Sequence, residues 1–540
     1  MQRPTPAWLF TAIFYEIYPQ SFRDSNGDGI GDLPGVIEKL DYIESLGCNA
    51  IWLNPCFESP FGDAGYDVAD FYKVAKRYGT NADLKRLFSE AHKRGMKVCL
   101  DLVAGHTSTA HPWFQASAQV KKNKYTNWYI WTDNGWREPK APLSSIKGVY
   151  DRNGTYITNF FAFQPALNFG FAHPDPNQPW QLPVDHPDVK AVRREMMKIM
   201  KFWLDQGADG FRVDMASSLV KGDTDYKETM KFWQEIRAIY DRDYPDAALI
   251  AEWSFPNLAI NAGFHIDFMI HFNTPAYTTL FRHETERDAF RMTPLEECGH
   301  SFFDKAGKGD IKAFLDIYQE HLGPTKELGF ISIPTGNHDL TRLAHGRTIA
   351  ELEVAFAFLM TLPGVPYIYM GDEIGMRHID LPSKEGGFGR TGARTPMQWD
   401  SGRNAGFSIA PANKLYLPID PAKDRPTVAG QSRDPKSLLN LVRKLAALRV
   451  KSPALAAHGE FIPVYAKAKK VPFVYRRSLN SEEYLIAINP TKYAAKISFD
   501  ATYLGDKFET VVCRGAKLSV KKEKARLEMK GVSYGIYRKR

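Results

Sequence analysis

Cysteine is scarce in this chain: Cys48, Cys56, Cys99, Cys298 and Cys513 are the only five in 540 residues. Their odd number and the absence of any CxxC spacing argue against a disulfide framework, and a reducing compartment fits best. The opening MQRPTPAWLFTAIFYEIYP lacks a basic start, a long apolar core and a small-residue cleavage site. No signal peptide is read there, so a cytoplasmic protein is expected; a removed leader would instead place it in the periplasm or outside. No hydrophobic run is long enough to span a bilayer, because the most apolar stretch, 354–370, is interrupted by Pro363, Gly364 and Pro366. Dense Lys/Arg runs are missing too. The net charge of +8 is spread over 70 basic and 62 acidic residues, which argues against nucleic acid as a partner. No internal repeat or low-complexity tract is seen, and the sequence says nothing about oligomeric state.

What is present is enough apolar sequence, 44% with 24% charged, to bury a large core in two or three domains. Aromatic residues make up 13%, including 11 Trp and 25 Tyr, which suits either thick cores or flat sugar-stacking surfaces. Short β-branched and aromatic runs at 12–18, 50–54, 97–103, 210–214, 248–252, 266–271, 330–334 and 365–370 alternate with helical patterns such as 33–46, 81–94 and 189–205. Eight βα units predict a (β/α)8 TIM barrel of the α/β class. After the third strand the helical period is lost in a stretch rich in Trp, Tyr, Pro, Gly and Asn, read as a small inserted domain. Beyond the helix at 435–450, short alternating segments predict a C-terminal antiparallel β-sandwich. The expected division is therefore barrel at 1–106, insert at 107–185, barrel again at 186–456 and the β domain at 457–540.

Barrel enzymes take their chemistry from the C-terminal ends of strands, and three expected strand ends carry carboxylates in the segments GFRVD, LIAEW and TGNHD. Arg212 and Asp214 share one face of their strand, so the guanidinium is expected to keep Asp214 ionised as a nucleophile requires. Glu252, enclosed beside Trp253, is expected to have the raised pKa of a general acid. Asp339 follows the seventh strand beside His338. Each has a structural alternative: a strand-tying ion pair for Asp214, a helix cap or surface pair for Glu252, a turn for Asp339. Their joint occurrence favours double displacement at an anomeric carbon by two carboxyls about 5 to 5.5 Å apart, with the third stabilising an oxocarbenium-like transition state.

These segments, in this order, closely resemble the conserved regions of the α-amylase family of glycoside hydrolases. The resemblance includes DLVAGH at 101–106, GYDVADF with Tyr66 and Asp67, and the closing GARTPMQWD and NAGF, so it spans nearly the whole chain. It implies Asp214 as nucleophile, Glu252 as acid/base and Asp339 as transition-state stabiliser. It also implies that Asp67, His106, Arg212 and His338 hold the sugar in the minus-one subsite and that Tyr66 stacks beneath it. Arg390, in GRTGARTPMQW, resembles the arginine that exo-acting members use near the non-reducing end. No organic cofactor is implied. Non-catalytic relatives of the barrel, such as those accompanying amino-acid transporters, lack the catalytic residues and carry a membrane span, unlike this chain.

Several positions depart from the family pattern. Gly105 stands where many amylases have an asparagine calcium ligand, and Ala166 replaces the Asp of the QPDLN found in the oligo-1,6-glucosidase and trehalose synthase branch. Ser217 and Ser218 occupy the places of the Lys-His common in endo-amylases, which points to an exo-acting enzyme. Met215 is neither the Val related glucosidases use for α-1,6 bonds nor the Ala or Thr used for α-1,4, and its bulk leans toward α-1,6 or another non-α-1,4 linkage. The expected activity is hydrolysis of short α-linked gluco-oligosaccharides or disaccharides; a transglucosidase or sugar isomerase, of trehalose synthase or sucrose isomerase type, needs the same carboxylates.

Finally, Asp24-Ser-Asn26-Gly-Asp28-Gly-Ile30-Gly-Asp32 sets oxygen side chains at alternate positions, as a hard cation with several oxygen ligands demands. Its first six residues imitate an EF-hand, but Gly35 stands where that loop needs its bidentate Glu. The family resemblance implies instead a structural calcium site made by Asp24, Asn26, Asp28, the Ile30 carbonyl and Asp32.

Overall fold

The computed structural model describes residues 4–136, 139, 143–274, 276–282, 300–502 and 507–540; Cys298 lies outside them. Among the described cysteines, Cys48, Cys56, Cys99 and Cys513 are free thiols.

All eight expected barrel strands form: β1 (Phe14–Ile17), β2 (Ala50–Leu53), β3 (Lys97–Val103), β4 (Gly210–Asp214), β5 (Ala248–Ala251), β6 (Ile266–Phe268), β7 (Phe330–Ser332) and β8 (Tyr367–Tyr369). They pair in parallel in the order β7-β6-β5-β4-β3-β2-β1-β8. Their near-complete burial explains why they read as continuous apolar runs rather than alternating ones. The eighth seam, between β7 and β8, closes without a ladder. Pro334 has no N–H to give, and Thr335 does the joining: its N–H donates to the Tyr367 carbonyl at 3.0 Å and its hydroxyl accepts from the Tyr369 N–H at 3.1 Å.

The helices follow their apolar periodicity. In α1 (Asn81–Lys93) a capping box between Thr80 and Asp83 starts the helix. In α2 (Pro187–Asp205) Pro187 sits at the first position, and Val189, Val192, Met196, Ile199, Met200 and Trp203 bury one face. The single helix expected over 33–46 is instead two pieces, Leu33–Glu38 and Leu40–Ser45, broken at Lys39 (φ −110°, ψ 9°).

Between β3 and α2 the chain forms the helix Pro112–Ser117 and a small hairpin, Ser145–Lys147 with Thr155–Ile157. Phe114 is packed there by Tyr129, Trp131, Tyr150 and Tyr156 at centroid distances of 5.0 to 5.7 Å. Much of the aromatic excess is therefore core, not sugar-facing surface.

The C-terminal strands β9 (Glu460–Tyr465), β10 (Phe473–Leu479), β11 (Glu482–Asn489), β12 (Ala495–Asp500), β13 (Phe508–Lys521) and β14 (Lys524–Lys539) form one antiparallel sheet. Two register shifts in β13 bend the long β13–β14 hairpin. Val474 and Leu485 from one part of the sheet thereby share a core with Ala525 and Leu527 from the other. Against the barrel, the buried guanidiniums of Arg449 and Arg477 donate to the carbonyls of Met360, Leu362, Thr361 and Ala456.

Gly364 lies at the unladdered seam with φ +87°, and a Cβ there would sit 1.8 Å from the Ile331 carbonyl oxygen of β7. Gly364→Ala is expected to destabilise the protein by about 3 kcal/mol or more, since both the backbone region and the contact are forbidden to it. Urea denaturation reads the loss; an unchanged midpoint would show that the seam gives way freely.

Candidate active site

A parallel barrel presents the C-terminal ends of all its strands at one rim, and the chemistry-bearing residues lie there. Arg212, 1% exposed, is the hub. Its Nη1 donates to Asp101 at 2.9 Å and to Asp214 at 3.0 Å, and its Nη2 pairs with Glu252. The Trp52 ring, 4.8 Å from the guanidinium carbon, closes one side.

Three buried carboxyls thus face one fixed cation. Burial and the adjoining Glu252 carboxyl push Asp214 well above the ordinary carboxylate range, against the pull of Arg212. Burial raises Glu252 as well, against Arg212 and the Met215 N–H that donates to its Oε2 at 3.0 Å. The expectation that Arg212 simply keeps Asp214 ionised is incomplete for this reason. The guanidinium is divided among three acids, and burial together with the closeness of the two carboxyls works against ionising Asp214 and Glu252 together. Asp339 is the opposite case. Burial would raise it, but Arg390 at 2.7 Å and Arg394 at 2.8 Å both donate to its Oδ1 and hold it well below the usual range.

Behind the carboxyls runs a buried polar chain. Tyr66 donates its hydroxyl to Asp101 at 3.0 Å and lies 2.8 Å from His338 Nε2, while His338 Nδ1 lies 2.9 Å from Glu16 of β1. Burial lowers His338 to about 3 and raises Glu16 well above its usual range. A neutral imidazole that donates its Nε2–H to the Tyr66 hydroxyl and accepts a hydrogen bond at Nδ1 from the Glu16 carboxyl is consistent with the contacts of this row.

These residues surround a cavity of about 320 Å3, lined by Asp214, Glu252, Asp339, Tyr66, His106 and Arg390 among the expected residues. Arg212 and His338 do not reach it; they brace from behind the groups that do. Asp67, expected to face the sugar, is turned away. Its carboxylate accepts from the N–H groups of Gly62 and Asp63 at 2.9 and 3.0 Å and from the Ser59 hydroxyl at 3.0 Å. The tight turn, with φ of +63° at Phe61 and +50° at Ala64, needs that internal acceptor. Asp63 lines the cavity in its place and forms an ion pair with Arg390 at 3.4 Å. The sequence offered a signal in two carboxylates bracketing Tyr66, only one of which could be spent on the turn.

Asn159, from the insert, was also missed. A Cβ on Gly105 would lie 2.7 Å from the Asn159 amide nitrogen, so the missing side chain makes room for that amide. Asn159 donates toward His106 Nδ1 at 3.2 Å and to Ser218 at 3.1 Å. Lys221 donates to Asn159 Oδ1 at 2.9 Å and to the Ser218 carbonyl at 2.6 Å. An ammonium therefore ties the insert to the barrel at this junction; burial lowers Lys221 to about 8.

The five residues of the expected calcium loop stay together, but their side chains serve the loop's own amides. Asp24 accepts from Asn26, Gly27 and Gly29, Asn26 from Asp28, Asp28 from Ile30, and Asp32 from Ser25 and Gly35. Among the described residues no three His, Cys, Asp or Glu side chains are gathered to hold a metal ion. None of the described helices is long and apolar enough to cross a membrane.

A parallel barrel whose C-terminal rim carries two adjoining buried carboxyls and a third held ionised by arginines, all lining one cavity, has the parts of a glycoside hydrolase. The chain belongs to the alpha-amylase family, whose catalytic domain matches residues 16–458. It is 33% identical over 541 residues to the oligo-1,6-glucosidase of Parageobacillus thermoglucosidasius, covering 89% of this chain and 90% of that one. It is also 33% identical over 484 residues to the trehalose synthase/amylase TreS of Mycolicibacterium smegmatis, covering 83% and 77%. Among solved structures, the trehalulose synthase MutB from Pseudomonas mesoacidophila superposes with a TM-score of 0.81 at 27% identity, covering 99% of this chain and 100% of that one.

Gly105→Asn should collide with Asn159 and Ser218 and cost about 1–3 kcal/mol, the usual range for overpacking. Thermal unfolding below that of the parent chain is expected, and Asn159→Ala should relieve it; equal melting of Gly105→Asn and parent would remove the proposed exchange of side chains.

Proposed function

We propose that the protein is a retaining, exo-acting α-glucosidase that hydrolyses short α-linked gluco-oligosaccharides, with α-1,6 or another non-α-1,4 linkage favoured. The observation that carries this is the cavity itself: one small chamber with Asp214 and Glu252 in its wall, closed on another side by the Asp63–Arg390 ion pair. Such a chamber suits one terminal sugar ring rather than a polymer passing through. Met215, which lines it with φ +43°, narrows the side where the next sugar would bind.

In this reading an Asp214 oxygen attacks the anomeric carbon as the bond to the leaving oxygen breaks, and Glu252 gives that oxygen its proton. A glycosyl ester on Asp214 results. Glu252, now a carboxylate, takes a proton from water, whose oxygen displaces Asp214 from the same carbon. Asp339, held ionised by two guanidiniums, favours the positive charge developing on the ring. His106, buried and neutral, donates through Nε2 to the Tyr66 carbonyl and sets the stacking ring.

Asp214→Ala should retain its fold and lose about 10⁴-fold or more in turnover, and azide should restore some cleavage of an activated glucoside. The first-formed product should keep the α configuration by NMR; an initial β-anomer, or a folded variant of near-normal rate, would end this mechanism. In a panel of maltose, isomaltose, sucrose, trehalose, panose and soluble starch, glucose release from a short α-glucoside should far outpace release from starch. A second reading is supported by the likeness to trehalose synthase and to trehalulose synthase, one solved form of which holds sucrose as substrate. There a sugar hydroxyl replaces water in the second step, and conversion of a disaccharide into an isomer with little free glucose would establish it.

For the loop at 24–32, the hard oxygen donors suit calcium: Asp28 and Asp32 keep lone pairs beyond their present contacts, while Asp24, which accepts from three loop amides and the Ser408 hydroxyl, would exchange some of these for the ion. Asp24, Asn26, Asp28, the Ile30 carbonyl and Asp32 would hold it, steadying a loop that packs on the segment with Phe407 and Tyr416. Added calcium should raise the melting temperature of the parent and not of Asp28→Ala; equal melting with calcium and with chelator would count against the site.

A further inference from the structure

Asp267 is an acidic residue in the apolar strand β6, fully buried, and it does not line the cavity. Its carboxylate accepts from three successive backbone N–H groups: Trp253 at 3.0 Å and Ser254 at 3.2 Å on Oδ1, and Phe255 at 2.9 Å on Oδ2. These are the residues immediately after Glu252, where the chain turns from β5 into the short helix Pro256–Asn261.

The turn needs such a clamp. Ser254 has φ +55°, a conformation that a residue with a Cβ adopts only when its surroundings hold it there. Two more ties from the same side support it: the Ser254 hydroxyl oxygen accepts from the Ile270 N–H at 3.1 Å, and Asn273 donates its amide to the Trp253 carbonyl at 2.6 Å. On the other side, Glu252 N–H donates to Val213 at 3.0 Å and its carbonyl accepts from Ala216 at 3.2 Å. The Glu252 backbone is thus fixed by β4 on one side and, through the next three peptides, by Asp267 on the other. An amide side chain in its place would keep only one acceptor oxygen for the three N–H groups. Burial raises Asp267 to about 8 even against these donors, so the clamp comes at the expense of burying an acid.

We propose that Asp267 is the positioning residue for Glu252, aiming its carboxyl at the glycosidic oxygen by fixing the peptides that follow it. This rests on the reading of Glu252 as acid/base. A displacement on the order of 1 Å at a reacting group can cost about 100-fold, and loss of proton donation shows itself only when the leaving group needs the proton.

The test compares Asp267→Asn with Glu252→Gln and the parent chain, using kcat/KM for isomaltose or maltose and for 2,4-dinitrophenyl α-glucoside. For Asp267→Asn we expect about a 100-fold loss on the disaccharide and less than about threefold on the activated glucoside. A generally damaged fold would lower both alike. If Glu252→Gln shows the leaving-group dependence and Asp267→Asn shows uniform loss or none, the positioning role is overturned while Glu252 stands. If Glu252→Gln shows no such dependence, its assignment and the positioning role fall together. Should Asp267→Asn not fold, Ser254→Gly frees the same turn, with a selective loss of about tenfold expected and a uniform loss overturning the proposal.

Discussion

One guanidinium sets the terms for the rest of the site. Arg212 is buried with three carboxyls, and a buried ion left without partners costs several kcal/mol, so the sheet must deliver Asp101, Asp214 and Glu252 around it. Strand register does this. Asp101 pairs directly across from Arg212 in the β3–β4 ladder, and Val213 from Ala251 in β4–β5, which sets Asp214 and Glu252 side by side at the rim. A slip of one residue in β3 would put Leu100 or Leu102 against the charge and send Asp101 toward the helices. The charge balance also works against ionising the pair together: burial and the neighbouring carboxyl raise Asp214, and burial raises Glu252, against the one guanidinium they share with Asp101. The proposed double displacement would use that pressure, because one carboxyl must attack while the other donates.

The same constraint explains why neutral groups stand behind the site. Another positive charge beside Arg212 would compete for Asp101, and another negative one would add to the excess of acids. The row from Glu16 through His338 and Tyr66 carries hydrogen bonds inward, and burial disfavours the charged form of both Glu16 and His338. Asp339 has cations of its own, Arg390 and Arg394, which come from the segment after β8 rather than from the barrel strands, although its charge still contributes to raising Glu252. The site therefore combines a pair of raised carboxyls sharing one guanidinium with a single carboxylate held ionised by two.

The barrel was legible because its strands are buried on both faces and stand out as apolar runs between amphipathic helices. The three carboxylates were legible because strand ends in such a barrel can only point to the rim. What escaped the sequence lies in backbone conformation and in contacts between distant segments. Asp63 and Asp67 are alike in composition, and only the positive φ values of the turn between them decide which one must face inward. Asn159 could be inferred only from the empty space at Gly105, fifty-odd residues away. Asp267 was readable as an oddity, an acid inside GFHIDFMI, but its meaning depends on a neighbouring strand's exit turn. The break at Lys39 had no apolar signal, since both half-helices keep the period of one.

The boundary between hydrolysis and transfer then lies outside the barrel strands. In the proposed double displacement, Asp214, Glu252 and Asp339 would treat any hydroxyl alike once the glycosyl ester exists, so selectivity would come from what surrounds the departing and incoming oxygen. Those walls come from Phe160 of the insert, Met215 and Ser217 after β4, and His271 to Asn273 after β6. Phe160 belongs to an aromatic group with Phe161, Phe163 and, from the Arg390 loop, Phe388. An apolar rim of this kind favours a sugar face over loose water. The polar residues beneath it, Ser217 and Asn273, favour an oriented hydroxyl of either source. The insert, together with His271 and Phe272 after β6, is thus where this chain can differ from its glucosidase and synthase relatives without altering the Arg212 balance, because these residues line the cavity and, unlike Asn273, do not tie the turn that follows Glu252.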